Sequence, residues 1–185
     1  NIGGLNHKLE GNRVTPNIFL FGVAGSATGK EDVLQAATEL HMIAGIGAAT
    51  HGTIKSEQEI IRNLIEHQAS YYIIDEVGIF LKKIQSSGNT NGASYLQNAV
   101  GVLMSIYSKA RSSILVSGDI KRQIKADLKR EYAYFNKELD NGCDNPAEVE
   151  ERMKKINEAI NSIDNGLVNP FLSLIGFTTP ETFNG

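Results

Sequence analysis

Apolar residues along the chain fall into short continuous runs that alternate with stretches of helical periodicity. Ile18, Phe19, Leu20 and Phe21 form one run of strand formers between Pro16 and Gly22, which predicts a buried strand. After Lys30, the residues Val33, Ala36, Ala37, Leu40 and Ile43 recur at helical spacing. Residues 44–53 read as a short glycine-rich strand or loop, and Ile60, Ile61, Leu64 and Ile65 mark a helix over 56–67. Tyr71, Tyr72, Ile73 and Ile74 form a second strand. Ile79, Phe80, Leu81 and Ile84 start another helix, followed by a polar, glycine-rich segment at 85–93 that predicts a mobile loop. Leu96, Val100, Leu103, Met104 and Tyr107 give a buried face to a helix over 93–110, and Ile114, Leu115 and Val116 form a short strand. A last apolar strand runs through Phe171, Leu172, Leu174, Ile175 and Phe177. This alternation predicts an α/β fold with a mainly parallel sheet flanked by helices.

The region 120–164 interrupts that alternation. Ile124, Leu128, Tyr132, Phe135 and Leu139 step by three or four residues, and so do Val149, Met153, Ile156, Ile160 and Ile163 after a turn at 142–146. Two helices packed antiparallel as an inserted hairpin are expected. The first opens with Lys121, Arg122, Lys125, Lys129 and Arg130, and the second with Glu148, Glu150 and Glu151. Such a basic cluster offers a grip on a nucleic-acid backbone, or an arginine that reaches a neighbour's nucleotide. The plainer alternative is a solvated helix face. Lys121 and Arg122, just beyond the Ile114 strand, lead the candidates, with Lys125 beside them.

Composition narrows the class. The 185 residues, 41% hydrophobic and 21% charged, suit one α/β domain with a sizeable core. No apolar run approaches membrane-spanning length and no signal peptide is visible at Asn1, so no membrane role is expected. The single Cys143 cannot form an internal disulfide, which fits a reducing compartment. His7, His41, His51 and His67 lack metal-ligand spacing. With a net charge of −3, contact with nucleic acid has to be local or created by assembly. A start at Asn1 without methionine and a stop at Gly185 suggest a segment of a longer protein.

Three segments carry chemistry. The first strand ends in a small-residue loop, Ala24-Gly25-Ser26-Ala27-Thr28-Gly29-Lys30-Glu31. Backbone N–H groups of such a loop point at nucleotide phosphates, the lysine adds a point charge, and the following helix aims its positive end at the same anion. Here Ala24 replaces the usual first glycine, and Glu31 replaces the usual Ser or Thr. The alternative is a glycine-rich turn between strand and helix. The second segment is Tyr71 to Glu76, a strand running into two carboxylates where open α/β sheets place their ligands. Asp75 is assigned to a magnesium ion and Glu76 to the attacking water. The third is the final strand, which ends in Thr178, Thr179 and Pro180. Beside the Asp75 strand in a parallel sheet, those hydroxyls would reach the γ-phosphate region.

In this order the three segments resemble the P-loop ATPase module of phage and mobile-element primase-helicases, a RecA-like group. The likeness spans about residues 17–183, and its specific part is the loop, the hydrophobic-Asp-Glu strand and the LSLIGFTTPETF strand. It implies a RecA-like P-loop NTPase fold for residues 1–185, with the hairpin inserted at about 120–164. It also implies ATP and Mg2+ as cofactors, hydrolysis, and DNA unwinding by a homo-oligomeric ring acting on single-stranded DNA. The implied setting is the cytoplasm of a bacterial cell or phage-infected host. By motif position Gly25, Gly29 and Lys30 bind phosphate, Asp75 holds magnesium, Glu76 is the catalytic base, and Thr178 or Thr179 is the polar sensor.

The hydroxyl that normally sits on magnesium is absent, since Glu31 follows Lys30. A carboxylate is a good oxygen ligand for magnesium, so Glu31 or Asp32 can replace it, with Thr28 another candidate. Two other functions are open. One is a DNA-packaging or partitioning motor of the same sheet type. The other is a nucleotide-binding assembly module that does not hydrolyse ATP because Glu31 has spoiled the magnesium chemistry.

Overall fold

The computed structural model describes residues 7–9, 12–14, 17–86, 94–109 and 112–184. The order along the chain is β1 (His7–Leu9), β2 (Asn12–Val14), β3 (Phe19–Val23), α1 (Lys30–Ile43), β4 (Thr50–His51), α2 (Glu57–Glu66), β5 (Ala69–Ile74), α3 (Val77–Ser86) and α4 (Ser94–Ser108). Then follow β6 (Ser113–Ile114), α5 (Gly118–Asp140), α6 (Pro146–Ser162), β7 (Leu167–Val168), β8 (Phe171–Thr178) and α7 (Pro180–Asn184). β1 and β2 make an antiparallel hairpin. The main sheet is four parallel strands in the order β3-β8-β5-β4. This is an α/β architecture with helices flanking a parallel sheet, compatible with a Rossmann or P-loop-like fold.

The last strand is inserted centrally, between β3 and β5. That position explains its composition, because a strand flanked on both sides and covered on both faces reads as a continuous apolar run. Phe171, Leu172, Ser173, Leu174, Gly176 and Thr178 are all buried. The core lies mainly on one face, where Tyr72, Ile74, Leu172 and Leu174 meet Ile60, Ile61 and Leu64 of α2, Ala99, Leu103 and Ile106 of α4, and Ile124, Leu128, Ile156 and Ile163 from the hairpin region.

The hairpin forms where its periodicity places it. Ser117 caps α5 by accepting the Ile120 N–H at 3.4 Å, and Pro146 occupies the first turn of α6, where its missing N–H costs nothing. An ion network fastens it to α2: Glu131 binds Arg62 of α2 and Arg152 of α6 (2.7 Å), and Glu66 binds Arg62 at 2.7 Å and Arg152 at 3.4 Å. Gln58 adds a bond to Asp127 at 3.0 Å. Among the described residues no helix is long and apolar enough to cross a membrane.

Five expectations from the periodicity need correction. On α4, Met104 and Tyr107 are exposed, and Ala99 and Ile106 join Leu96 and Leu103 on the buried face. The run at 18–21 is not a buried strand: β3 is at the sheet's edge, paired only with β8 among the described residues, and Ile18, Leu20, Phe21 and Val23 are exposed. The stripe predicted for α1 is not the buried one, since Val33, Leu40 and Ile43 are exposed and Leu34 is buried. The 114–116 segment is shorter than expected and lies outside the main sheet: β6 pairs antiparallel with β7, and Leu115 is exposed. Of the predicted loop at 85–93, Gln85 and Ser86 finish α3, and residues 87–93 lie outside the described residues.

Candidate active site

Strand register brings the three chemical segments to one level of the sheet. Val23 of β3 is opposite Thr178 of β8, and Ile74 of β5 is opposite Gly176. Two residues beyond Ile74, Glu76 therefore stands level with Thr178. The ladder continues one step into the loop, where the Ala24 N–H donates to the Thr178 carbonyl at 3.0 Å.

The loop turns sharply from there into α1. Ala27 (φ 60°) and Gly29 (φ 83°) are in the left-handed region, which bends the chain back on itself. The Thr28 hydroxyl donates to the Gly25 carbonyl at 2.8 Å, so Thr28 closes the loop. No side chain caps α1 at Gly29. The first N–H groups of this 14-residue helix are therefore left without a side-chain cap, and an anion at this end would be stabilised by them and by the helix dipole.

Lys30 is the side chain that this geometry aims across the site. Its Nζ donates to Glu76 Oε1 at 2.7 Å, and its side chain is only 9% exposed. The Glu76 hydrogen bond, aided by the charges of Glu76, Asp75 and Glu31, outweighs the cost of desolvation and raises the Lys30 ammonium above its ordinary 10.5. The second oxygen of Glu76, Oε2, accepts from the Thr178 hydroxyl at 3.4 Å, and Thr178 is fully buried. Asp75 is exposed and accepts the Glu76 N–H on Oδ1 at 2.9 Å. Glu76 itself has φ 51°, a strained value for a residue with a Cβ. That turn lets β5 deliver two successive carboxylates to the sheet's upper edge and then enter α3.

Two glycines that the sequence pattern did not flag make this approach possible. A Cβ on Gly78 would collide with the Thr178 hydroxyl and with Thr182, and one on Gly176 would collide with Val77. Both sit where the start of α3 closes over the end of β8. Their only sequence signal is position, Gly78 directly after the Asp-Glu pair and Gly176 two residues before the threonines. Beside the carboxylates lies a cavity of about 460 Å³ walled by Asp75, Glu76, Lys55, Lys83, Phe80 and Leu96. Sequence reasoning passed over Lys55 and Lys83 because they stand apart from every motif. A larger groove, about 1040 Å³, lies at the tip of the hairpin, next to Ala48 and His67. These residues precede β4 and β5, so the groove is at the opposite end of the strands from Asp75.

The structure thus gathers Lys30, Asp75, Glu76 and Thr178 around the loop of residues 24–29. It separates the two threonines, because Thr179 accepts the Thr182 N–H at 3.2 Å and caps α7, away from Glu76. Glu31 and Asp32 are exposed in the first turn of α1, and no group of three or more His, Cys, Asp or Glu able to hold a metal occurs among the described residues. Magnesium that arrives with a nucleotide does not need such a cage, since it takes one or two carboxylates with phosphate and water oxygens, and an exposed Asp75 suits that role.

The basic candidates on α5 are engaged within the chain. Lys121 donates to the Asp164 carbonyl at 2.8 Å, Lys125 pairs with the Asp164 carboxylate at 2.7 Å, and Arg122 pairs with Asp119. The acids at the start of α6 are not their partners.

No protein-family model matches the chain, and comparison with curated proteins and with solved structures finds no significant match.

Proposed function

We propose that the chain is a RecA-like P-loop ATPase domain that binds and hydrolyses ATP as the motor of a replicative DNA helicase of the primase-helicase type. The observation that carries the ATPase reading is the convergence of Lys30, Glu76 and Thr178 at the uncapped N-terminus of α1. An anion seated on the loop N–H groups meets a lysine, a carboxylate able to orient water, and a buried hydroxyl at the same level.

In this reading the loop of residues 24–29 and Lys30 hold the β- and γ-phosphates and offset the charge that develops on them. Glu76 accepts hydrogen bonds from the attacking water and orients it in line, while Thr178 positions Glu76. Asp75, with Glu31 nearby, would hold the magnesium ion, which neutralises phosphate charge when bound. The helicase part of the reading rests on the order of the segments, and contact with single-stranded DNA belongs to the assembled ring.

The test is calorimetric titration with ATP in the presence and absence of magnesium, followed by phosphate release with and without single-stranded DNA. Magnesium-dependent binding and DNA-stimulated turnover support the reading. Tight binding without turnover in the assembled, full-length protein favours the assembly module, which Glu31 in place of a hydroxyl would explain.

A further inference from the structure

We infer that the Lys30–Glu76 pair is a resting latch, which the incoming triphosphate opens by taking Lys30 away from Glu76. The inference rests on the ATPase reading and adds how the same site is held idle before nucleotide arrives.

At rest both oxygens of Glu76 are occupied, Oε1 by the Lys30 ammonium and Oε2 by the Thr178 hydroxyl. A carboxylate so held is a poor acceptor for a water proton, and the ammonium that should meet the phosphate is already neutralised. The two functions are therefore mutually blocked. A phosphate on the loop brings a second anion to Lys30, and with Glu76 still at 2.7 Å the two anions would repel across one ammonium.

The structure offers Glu76 a place to go. Its side chain is 32% exposed and lines the 460 Å³ cavity, on whose other walls stand Lys55, Lys83, Ile79 and Phe80. A turn of the carboxylate toward that cavity releases Lys30, and Thr178, fixed in the sheet between β3 and β5, is placed to retain the other oxygen. Lys30 lets go and Thr178 keeps hold, so Glu76 is freed only when a phosphate is present to be attacked. Thr178 is on this account a positioning residue.

The experiment is binding of ATP in EDTA, so that magnesium does not contribute, to the parent and to Glu76→Gln, Asp75→Asn, Lys30→Ala and the Lys30→Ala/Glu76→Gln double variant. Glu76→Gln is isosteric and should bind about tenfold tighter, the scale of one released charged hydrogen bond. Asp75→Asn removes the same charge one residue away and should gain less than about threefold. In the Lys30→Ala background the gain from Glu76→Gln should vanish. Equal gains in Glu76→Gln and Asp75→Asn, or a gain that survives without Lys30, would mean general electrostatics and overturn the latch. A parent that binds ATP with no gain in Glu76→Gln overturns the latch alone. A folded parent that binds no ATP with or without magnesium overturns the functional reading, and the latch with it.

Discussion

Lys30 and Glu76, 46 residues apart in the chain, form a 2.7 Å ion pair across the top of the sheet. The pair joins the first residue of α1 to a turn that follows β5, two elements on strands that are not neighbours. Only β8 lies between them, and it places Thr178 against the same carboxylate.

Removal of the lysine should therefore weaken the phosphate site without unfolding the domain. Lys30→Ala is expected to weaken ATP binding at least about tenfold, because a charged hydrogen bond to phosphate is lost. Asp75→Ala should keep nucleotide binding but lose its magnesium dependence. Calorimetry with and without magnesium separates the two effects.

The two threonines should differ in kind. Thr178→Val removes the hydroxyl that positions Glu76 and should lower turnover about tenfold or more, with ATP affinity little changed. Thr179→Val removes the cap of α7 and should cost about 1 kcal/mol of stability with turnover preserved. Steady-state kinetics beside urea denaturation reads both. A turnover loss confined to Thr179→Val would reverse the assignment.

Gly78→Ala tests the close approach of α3 to β8. Its methyl group would meet the Thr178 hydroxyl and Thr182, so a loss of about 1 to 3 kcal/mol is expected, as for overpacking elsewhere in cores. Because the clash falls on Thr178, turnover should fall beyond what the stability loss explains. Activity assayed well below the melting temperature distinguishes the two.

Tyr72 gives the fold an alkaline limit. Burial pushes its phenol up to about 12 from 10.0, against the opposing effect of the Asn63 amide that donates to its oxygen at 3.0 Å. The folded state keeps the proton between those values while the unfolded state loses it. The contribution is thus fully present below pH 10 and is lost as pH rises to about 12, about 2 to 3 kcal/mol in all. The histidines act at the other end. Burial lowers His41, His51 and His67 below 6.5, so the folded state favours their neutral forms, and stability should decline as pH falls below about 6.5. Urea midpoints from pH 5 to 12 for the parent and Tyr72→Phe isolate the alkaline part, which should be absent from the variant.

The residues that gather at the candidate site were largely legible in the sequence, because the segments that carry them are local. A loop of small residues before a lysine, a strand that runs into two acids and a strand that ends in two threonines each announce themselves over a few positions. What was not legible was which threonine counts. Thr178 and Thr179 are equivalent as text, yet successive side chains of a strand point to opposite sides, and the strand ends between them. One meets Glu76 and the other turns back to cap α7.

Periodicity determined α1 to α6, with the hairpin among them, and the strands β3, β5 and β8, since these follow from local spacing of apolar residues, whereas β1, β2, β7 and α7 carried no such signal. Tertiary structure alone decided the strand order. Nothing in the run at 18–21 distinguishes an edge from a centre, and it is the strand order that puts β3 at the edge, where Ile18, Leu20 and Phe21 are exposed. The same order sets Lys30, Glu76 and Thr178 at one level, and it depends on Gly78 and Gly176 leaving room for α3. Strand pairing joins residues distant in the chain and is governed by packing on both faces, so a pattern that reports local periodicity carries the pieces of this site but not their placement.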